Sequence, residues 1–313
     1  MGSDGRPGPE ADRTGRVVAN FGPNLEVEDD TGRIWRCLAP RKLSDLVAGD
    51  EVAWRPEPDG TGVVAKVQPR RQSLTRPDAR GRERTVAANI DQVLVVFAPR
   101  PAHSVELIDR YLVAAEDAGL RAALVLNKLD LLDPSDRKAM EAELAVYRRL
   151  DYPVVEASAH HPNGVDALLP LLREHISILV GQSGTGKSSL IDRLVPEAVR
   201  VGAVSEASGH GRHTTSVARL YRLPGEGALI DSPGVRAFGL GHLDPDTVAA
   251  GFVEFRPYLG RCRFRDCRHG DEPGCALRAA VEAGAIDGRR FQHYLRIVAE
   301  EAGPMEAGRG RKR

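Results

Sequence analysis

Between residues 15 and 67 the chain carries five short runs: GRVVA, NLEVED, RIWRCL, DEVAWRP and TGVVAKV. Apolar residues dominate or alternate within each run, and Gly, Pro and Asp separate them, as in TGR, AGD and PDG. A period of two predicts strands with one buried face, and this many short strands so close together predict a small barrel of the OB type. After Arg84 the pattern changes. Residues 92–98 (QVLVVFA) are nearly all apolar, which predicts a strand buried on both faces. Val105, Ile108, Leu112 and Ala115 fall at helical spacing within residues 104–119, and Gly119 ends the helix. Further strands are expected over 122–126, 153–157 and 176–180, and further helices over 135–150 and 165–174. Such alternation predicts an α/β unit, a mostly parallel sheet with helices on both faces. From about Asp244 the pattern is helical around a group of Cys and His residues.

The expected architecture is therefore multidomain. A loose Gly-, Pro- and Asp-rich tail covers 1–12; an all-β barrel with a basic linker covers 13–84. The α/β unit covers 85–243, an α-helical zinc-binding unit 244–302, and a basic disordered tail 303–313. The linker, residues 68–84, holds Arg70, Arg71, Arg76, Arg80, Arg82 and Arg84 against Asp78 and Glu83. It is read as either wrapped on a partner or flexible.

A hydrophobic fraction of 42% and a charged fraction of 28% exclude gross disorder and fibrous repeats. The longest apolar run, residues 93–98, falls far short of the roughly 20 residues that a membrane span needs. No apolar leader follows Met1, so the chain is read as cytoplasmic, with no membrane partner and as a monomer. The net charge of zero hides a pattern. Residues 13–84 hold 14 Lys/Arg against 11 Asp/Glu, residues 85–255 hold 16 against 22, and residues 256–313 hold 13 against 8. Two basic flanks around an acidic middle suit a phosphate-rich partner; solvated surface charge is the alternative.

Gly181, Gln182, Ser183, Gly184, Thr185, Gly186, Lys187 and Ser188, followed by Ser189, form a G-x-x-x-x-G-K-S loop between an expected strand and an apolar-periodic helix. That context is what a phosphate-binding loop requires. Its glycines let backbone N–H groups curl around phosphate oxygens, Lys187 can reach the β- and γ-phosphates, and Ser188 can offer its hydroxyl to Mg²⁺. Asn127, Lys128, Leu129 and Asp130 follow another strand. A carboxylate at Asp130 can accept from guanine N1–H and the exocyclic amine, a donor pair that adenine lacks. Asn127 can fix the base edge, and the Lys128 stem can lie on the ring. Ser158 and Ala159 fit a backbone contact to the guanine carbonyl, or an ordinary strand-to-loop turn.

Asp231-Ser-Pro-Gly234 follows a short apolar run. Asp231 can hold Mg²⁺ through water and the Gly234 N–H can sense the γ-phosphate; Pro-Gly is also a common turn. In GHGRHTT, residues 209–215, either Thr214 or Thr215 is the candidate switch threonine. Val235 stands where many GTPases carry a water-orienting Gln. His213 is the candidate catalytic residue that positions or deprotonates water; the alternative is that it shapes the switch loop. Cys262, Cys267, His269 and Cys275 lie within 14 residues and match a closed, tetrahedral, structural zinc site, with a disulfide as the weaker alternative. Cys37 is read as an inert core thiol.

These motifs run in a permuted order, since Asn127–Asp130 and Ser158–Ala159 precede the phosphate loop. A site is defined by geometry, so a circularly permuted chain can still build it. Through AGDEV, NKLD, GQSGTGKSS, GRHTT, DSPG and FRDCRHGDEPGCA, the sequence resembles the RsgA family of small-ribosomal-subunit biogenesis GTPases, from about Gly15 to Leu295. The resemblance implies GTP hydrolysis to GDP and phosphate, stimulated by the small ribosomal subunit, and a role in its late maturation. It also implies zinc held by Cys262, Cys267, His269 and Cys275, and rRNA contacts from the barrel and the zinc unit. One departure is Ser232, where the family usually has Thr; that position is not expected to ligate metal. The competing readings are a GTP-regulated RNA-binding adaptor without productive turnover, and a P-loop ATPase or kinase, which Asp130 argues against.

Overall fold

The structure is a computed structural model that describes residues 12–43, 45–77, 82–196, 217–232, 240 and 243–301. The expected terminal tails lie outside these residues, apart from Asp12, and so does residue 302 at the C-terminal bound of the expected zinc unit.

The five N-terminal runs form β1 (Arg13–Asn20), β2 (Asn24–Asp29), β3 (Ile34–Leu38), β4 (Glu51–Pro56) and β5 (Gly62–Val67). They hydrogen-bond in the order β1-β2-β3-β5-β4, and β4 closes back on β1, with β3–β5 the parallel pair. Closure leaves this barrel no free edge at the β1–β4 seam. Its core gathers the inward residues of the alternating pattern, among them Val17, Leu25, Val27, Val52 and Val64 around fully buried Trp54. Cys37 belongs to this core, where burial pushes its thiol up to about 12. It is an unreactive thiol at neutral pH.

The expected linker is more structured than its composition suggested. Its residues 73–77 and 83–84 belong to an antiparallel hairpin of β6 (Ser73–Pro77) and β7 (Glu83–Ala88). Arg70 is not free for a partner either. Its guanidinium donates to both oxygens of buried Asp50, at 2.7 and 2.9 Å. Asn89, buried at a left-handed φ of 51°, accepts from the Arg71 N–H and donates to the Gly49 carbonyl. The linker arginines nearest the barrel therefore fasten it down.

The α/β unit follows as β8 (Gln92–Phe97), α1 (Val105–Asp117), β9 (Arg121–Leu126), α2 (Pro134–Arg149) and β10 (Val154–Glu156). Then come α3 (Leu169–Leu172), β11 (Ile176–Val180), α4 (Lys187–Leu194), β12 (Arg219–Arg222) and β13 (Ala228–Asp231). The helix expected over 165–174 is shorter: a 3₁₀ turn, Asp166–Leu168, runs into the single turn of α3. Pro170 at its start and the β-like residue Arg173 at its end bound it.

The strand order is β10-β9-β8-β11-β13-β12, parallel except for β12. Every residue of β8 and β11 is buried, and alternate residues serve opposite faces. Val93, Val95 and Phe97 pack on the side of α1, whereas Leu94 and Val96 pack on the side of α4 with Leu190, Ile191 and Leu194. Burying each such side chain contributes about 1.5–3 kcal/mol, which is why the central strands read as continuous apolar runs. β12 also pairs with β1 of the barrel, so one continuous sheet runs through both units.

The C-terminal unit comprises α5 (Pro245–Gly251), a 3₁₀ segment (Val253–Tyr258), α6 (Ala276–Glu282) and α7 (Gly288–Glu301). Phe252, Phe255, Phe291 and Tyr294 form its aromatic core. A buried polar network ties it to the α/β unit. Asp109 of α1 accepts from the Tyr147 hydroxyl at 2.9 Å and from Arg290, and meets His293 Nδ1 at 2.5 Å; Arg290 also donates to Glu254.

Candidate functional site

Ligands of open α/β sheets bind beyond the carboxyl ends of the strands, where the strand order reverses direction. Here the chain runs outward from β8 through β9 to β10, then returns on the other side of β8 as β11 and β13. Residues 127–130 leave the end of β9, 158–159 follow β10, 181–189 leave β11 and 231–232 end β13. Four motifs scattered over a hundred residues of sequence thus share one edge of the sheet.

The phosphate loop and the base-reading loop touch directly. Asn127 is fully buried, and its amide donates to the Thr185 carbonyl at 2.8 Å. Its Oδ1 is buried without a partner among the described residues. Lys128, at a left-handed φ of 57°, extends its ammonium to the carbonyls of Gly184 at 2.5 Å and Arg100 at 3.3 Å. Two glycines are sterically required. A Cβ on Gly181 would lie 2.0 Å from the Val96 carbonyl oxygen, and one on Gly186 would lie 2.4 Å from Asn127 Nδ2. Both also have positive φ, 141° and 89°, which L side chains rarely adopt. Lys187 folds back to donate to the carbonyls of Gly181 and Gln182 at 2.7 and 2.9 Å, while Ser188 and Ser189 stay exposed.

Asp130 is exposed and accepts from the hydroxyl of buried Ser158. That hydrogen bond holds its carboxyl below the ordinary value, and the charges of His160 and His161 add to the effect. A cavity of about 610 Å³ opens beside this pair, lined by Leu129, Arg137, His161 and Asn163 among others. Burial pushes the Asp231 carboxyl above its ordinary value; the Lys187 charge opposes the shift and Asp192 reinforces it. The Asp231 carboxylate offers oxygens of the hard type that divalent cations such as Mg²⁺ take. Ser232 is buried beside it. His213, Thr214, Thr215, Gly234 and Val235 lie outside the described residues.

Two positions escaped the sequence reading. Gly164 closes the turn after β10: its carbonyl accepts from the Ser158 N–H at 2.8 Å, and a Cβ there would sit 1.9 Å from the Ser158 carbonyl oxygen. Arg193 of α4 donates to the carbonyls of Pro162 and His161 at 2.6 and 3.4 Å, so the phosphate-loop helix holds the base-side loop. Gly164 stood in the sequence as a turn residue; nothing local marks Arg193.

In the C-terminal unit, the sulfurs of Cys262, Cys267 and Cys275 lie 3.5, 3.6 and 3.5 Å from His269 Nδ1. A tetrahedral zinc with Zn–S of about 2.3 Å and Zn–N of about 2.0 Å would place sulfur and nitrogen about 3.5 Å apart. All four ligand atoms lie within 4.8 Å of one another. Burial lowers the His269 pKa, which favours the neutral imidazole that metals bind. The donor set and spacing fit zinc, with Nδ1 as the histidine ligand.

The sequence model of the family described as RsgA GTPase matches residues 67–241. A relative from Ectopseudomonas mendocina, named small ribosomal subunit biogenesis GTPase RsgA, is 52% identical over 297 residues, covering 93% of this chain and 86% of its own. One of the same name from Chromohalobacter salexigens is 57% identical over 296 residues, with the same coverage. The chain belongs to the RsgA GTPase family. Solved structures agree with this. YjeQ from Thermotoga maritima superposes with a TM-score of 0.76 at 32% identity, covering 93% of this chain and 99% of that one. The circularly permuted GTPase YloQ shares the fold at a TM-score of 0.73 and 24% identity, covering 95% and 97%. RsgA membership makes the chain a GTP hydrolase with a permuted GTPase sheet, an N-terminal barrel and a C-terminal Cys/His cluster. No helix among the described residues is long and apolar enough to cross a membrane.

Proposed function

We propose that the chain binds the small ribosomal subunit, assists its late maturation and hydrolyses GTP there at a rate the subunit raises. One observation carries the nucleotide assignment: Asn127 and Lys128 hydrogen-bond to Thr185 and Gly184, which holds the base-reading loop against the phosphate loop. There Asp130 reads guanine, with Ser158 orienting its carboxylate and Ala159 contributing a backbone donor to the base. The N–H groups of residues 181–189 and the Lys187 ammonium hold the phosphates. Bound nucleotide draws Lys187 away from the loop carbonyls it now meets. Ser188 and Asp231 would hold Mg²⁺, Asp231 through water, and the ion would supply neutralising charge to the phosphates. Thr214 or Thr215 and the Gly234 N–H close on the γ-phosphate side. Unit boundaries near residues 84 and 243 belong to the same reading.

His213 is assigned the placing of the hydrolytic water. His213→Ala is expected to keep GTP affinity and lose subunit stimulation; unchanged stimulated turnover removes it from that role. Cys262, Cys267, His269 and Cys275 hold one structural Zn²⁺. The monomeric protein meets rRNA through the barrel, where Arg33 stacks on Trp35 at 4.0 Å, and through the metal loop, where Arg263 lies 5.4 Å from the exposed Phe264 ring. The deciding experiment is phosphate release against small-subunit concentration. A saturable rise supports the proposal, and a flat line leaves a GTP-regulated adaptor.

A further inference from the structure

A single row of residues crosses the seam between barrel and GTPase sheet. Glu26 of β2 lies opposite Ala19 of β1, Ala19 opposite Arg219 of β12, and Arg219 opposite Asp231 of β13. Ladder partners present their side chains to one face of the sheet. The Arg219 guanidinium donates to Glu26, passing Ala19, whose methyl group leaves the path open. Both side chains are buried, 10% and 5% exposed. The nucleotide chemistry uses neither residue. The pair is also not needed as surface decoration, since a buried charge pair is costly to desolvate and gives little net stability.

A neighbouring pair supplies the comparison. Arg222 donates to Glu28 at 2.8 Å between the same two strands, and Glu28 is equally buried. Arg222, however, lies opposite Ala228, at the far end of β13 from Asp231. Both pairs fasten barrel to sheet, and only one row ends on the carboxylate next to Lys187.

We propose that Glu26 and Arg219 are positioning residues that carry engagement of the barrel to Asp231, so that a partner gripping the barrel speeds GTP hydrolysis. Among the described residues the main-chain pairing of β1 with β12 is a single bridge, so the ion pair adds a side-chain attachment, beside that of Arg222 and Glu28, that lets β12 follow the barrel. A shift of β12 passes to β13 through the four ladder pairs that join them. The proposal rests on the reading above that Asp231 serves the Mg²⁺–nucleotide site and that the small subunit stimulates turnover.

The test uses the full chain, purified small subunits and the variants Glu26→Gln, Glu26→Asp and Glu28→Gln. Turnover is measured against subunit concentration, subunit binding by co-sedimentation with a non-hydrolysable GTP analogue, and amide exchange over residues 217–232. For Glu26→Gln the maximal stimulated rate is expected to fall about tenfold, with basal turnover and half-saturating subunit concentration within about twofold. Glu26→Asp keeps the charge but shortens its reach, and is expected to lose about threefold. Subunits should protect the 217–232 amides in wild type and Glu28→Gln, and not in Glu26→Gln. Full stimulation in both Glu26 variants overturns the proposal. So does an equal loss in Glu28→Gln, which would make docking in general responsible. A wild-type chain that the subunit does not stimulate refutes the underlying functional reading, and the relay with it, on that arm alone.

Discussion

At the scale of single residues, Asp130 is where the choice of base is made. Its carboxylate is exposed and steadied by Ser158. A hydrogen bond to a charged group contributes about 1.5–3 kcal/mol, so Asp130→Asn should weaken GTP about 10–100-fold. The new amide N–H should favour xanthosine triphosphate, whose base carries oxygen where guanine carries the amine. Competition titrations of the two nucleotides check both outcomes. Asp29 makes a different prediction. Burial works against its charge, but the Thr31 hydroxyl, the Trp35 indole and the N–H groups of Arg33 and Thr31 more than offset this, lowering its pKa from 3.8 to about 2. A folded pKa below the unfolded one stabilises at pH values above the unfolded pKa, and the gain is lost as pH falls through the folded one. Asp29→Asn should therefore destabilise the barrel at neutral pH, and its difference from wild type should shrink between pH 4 and pH 2 in urea melts. The motif residues were legible because phosphate and guanine chemistry tolerates few residue types. Glu26, Arg193 and Arg219 were not, because a charged residue looks solvated until the fold shows its partner.

At the scale of elements, the apolar runs announced both the barrel strands and the buried central strands, since burial on one face or two imposes a period of two or none. The hairpin of β6 and β7 stayed hidden behind its arginines. What orders it is tertiary: Arg70 is drawn to Asp50, which is 0% exposed and also accepts from the Val47 N–H at 2.8 Å. Asp50→Ala strands the Arg70 charge and the Val47 amide, and should cost about 2–3 kcal/mol in denaturant unfolding while leaving GTP affinity unchanged. A loss below about 0.5 kcal/mol would mean that the hairpin docks without this pair. The short strand β12 went unread for a similar reason. Its sequence, RLYR, has no pattern longer than four residues, and its role depends on β1 and β13 on either side.

At the scale of the whole molecule, different devices order different parts of the C-terminal unit. The Asp109–Arg290–His293 network anchors α7 to α1, while the Cys/His group organises the loop before α6. Cys275 is the N-cap of α6, and the Ala276 N–H donates to the Cys262 sulfur at 3.4 Å. Cys275→Ser, or a strong chelator, should therefore remove one zinc per chain and melt α6 with the metal loop, leaving α7 and GTP binding intact. Metal analysis with amide exchange separates these outcomes; loss of α7 protection would show that the two devices act as one. The seam at Ala19 has a consequence for biosynthesis. The ribosome delivers residue 19 long before residue 219, so a newly made barrel waits with an unsatisfied main-chain edge. In a crowded refolding mixture another copy's RLYR segment fits that vacancy equally well, and hurried production then yields an interlocked pair of chains, each completing its neighbour's sheet.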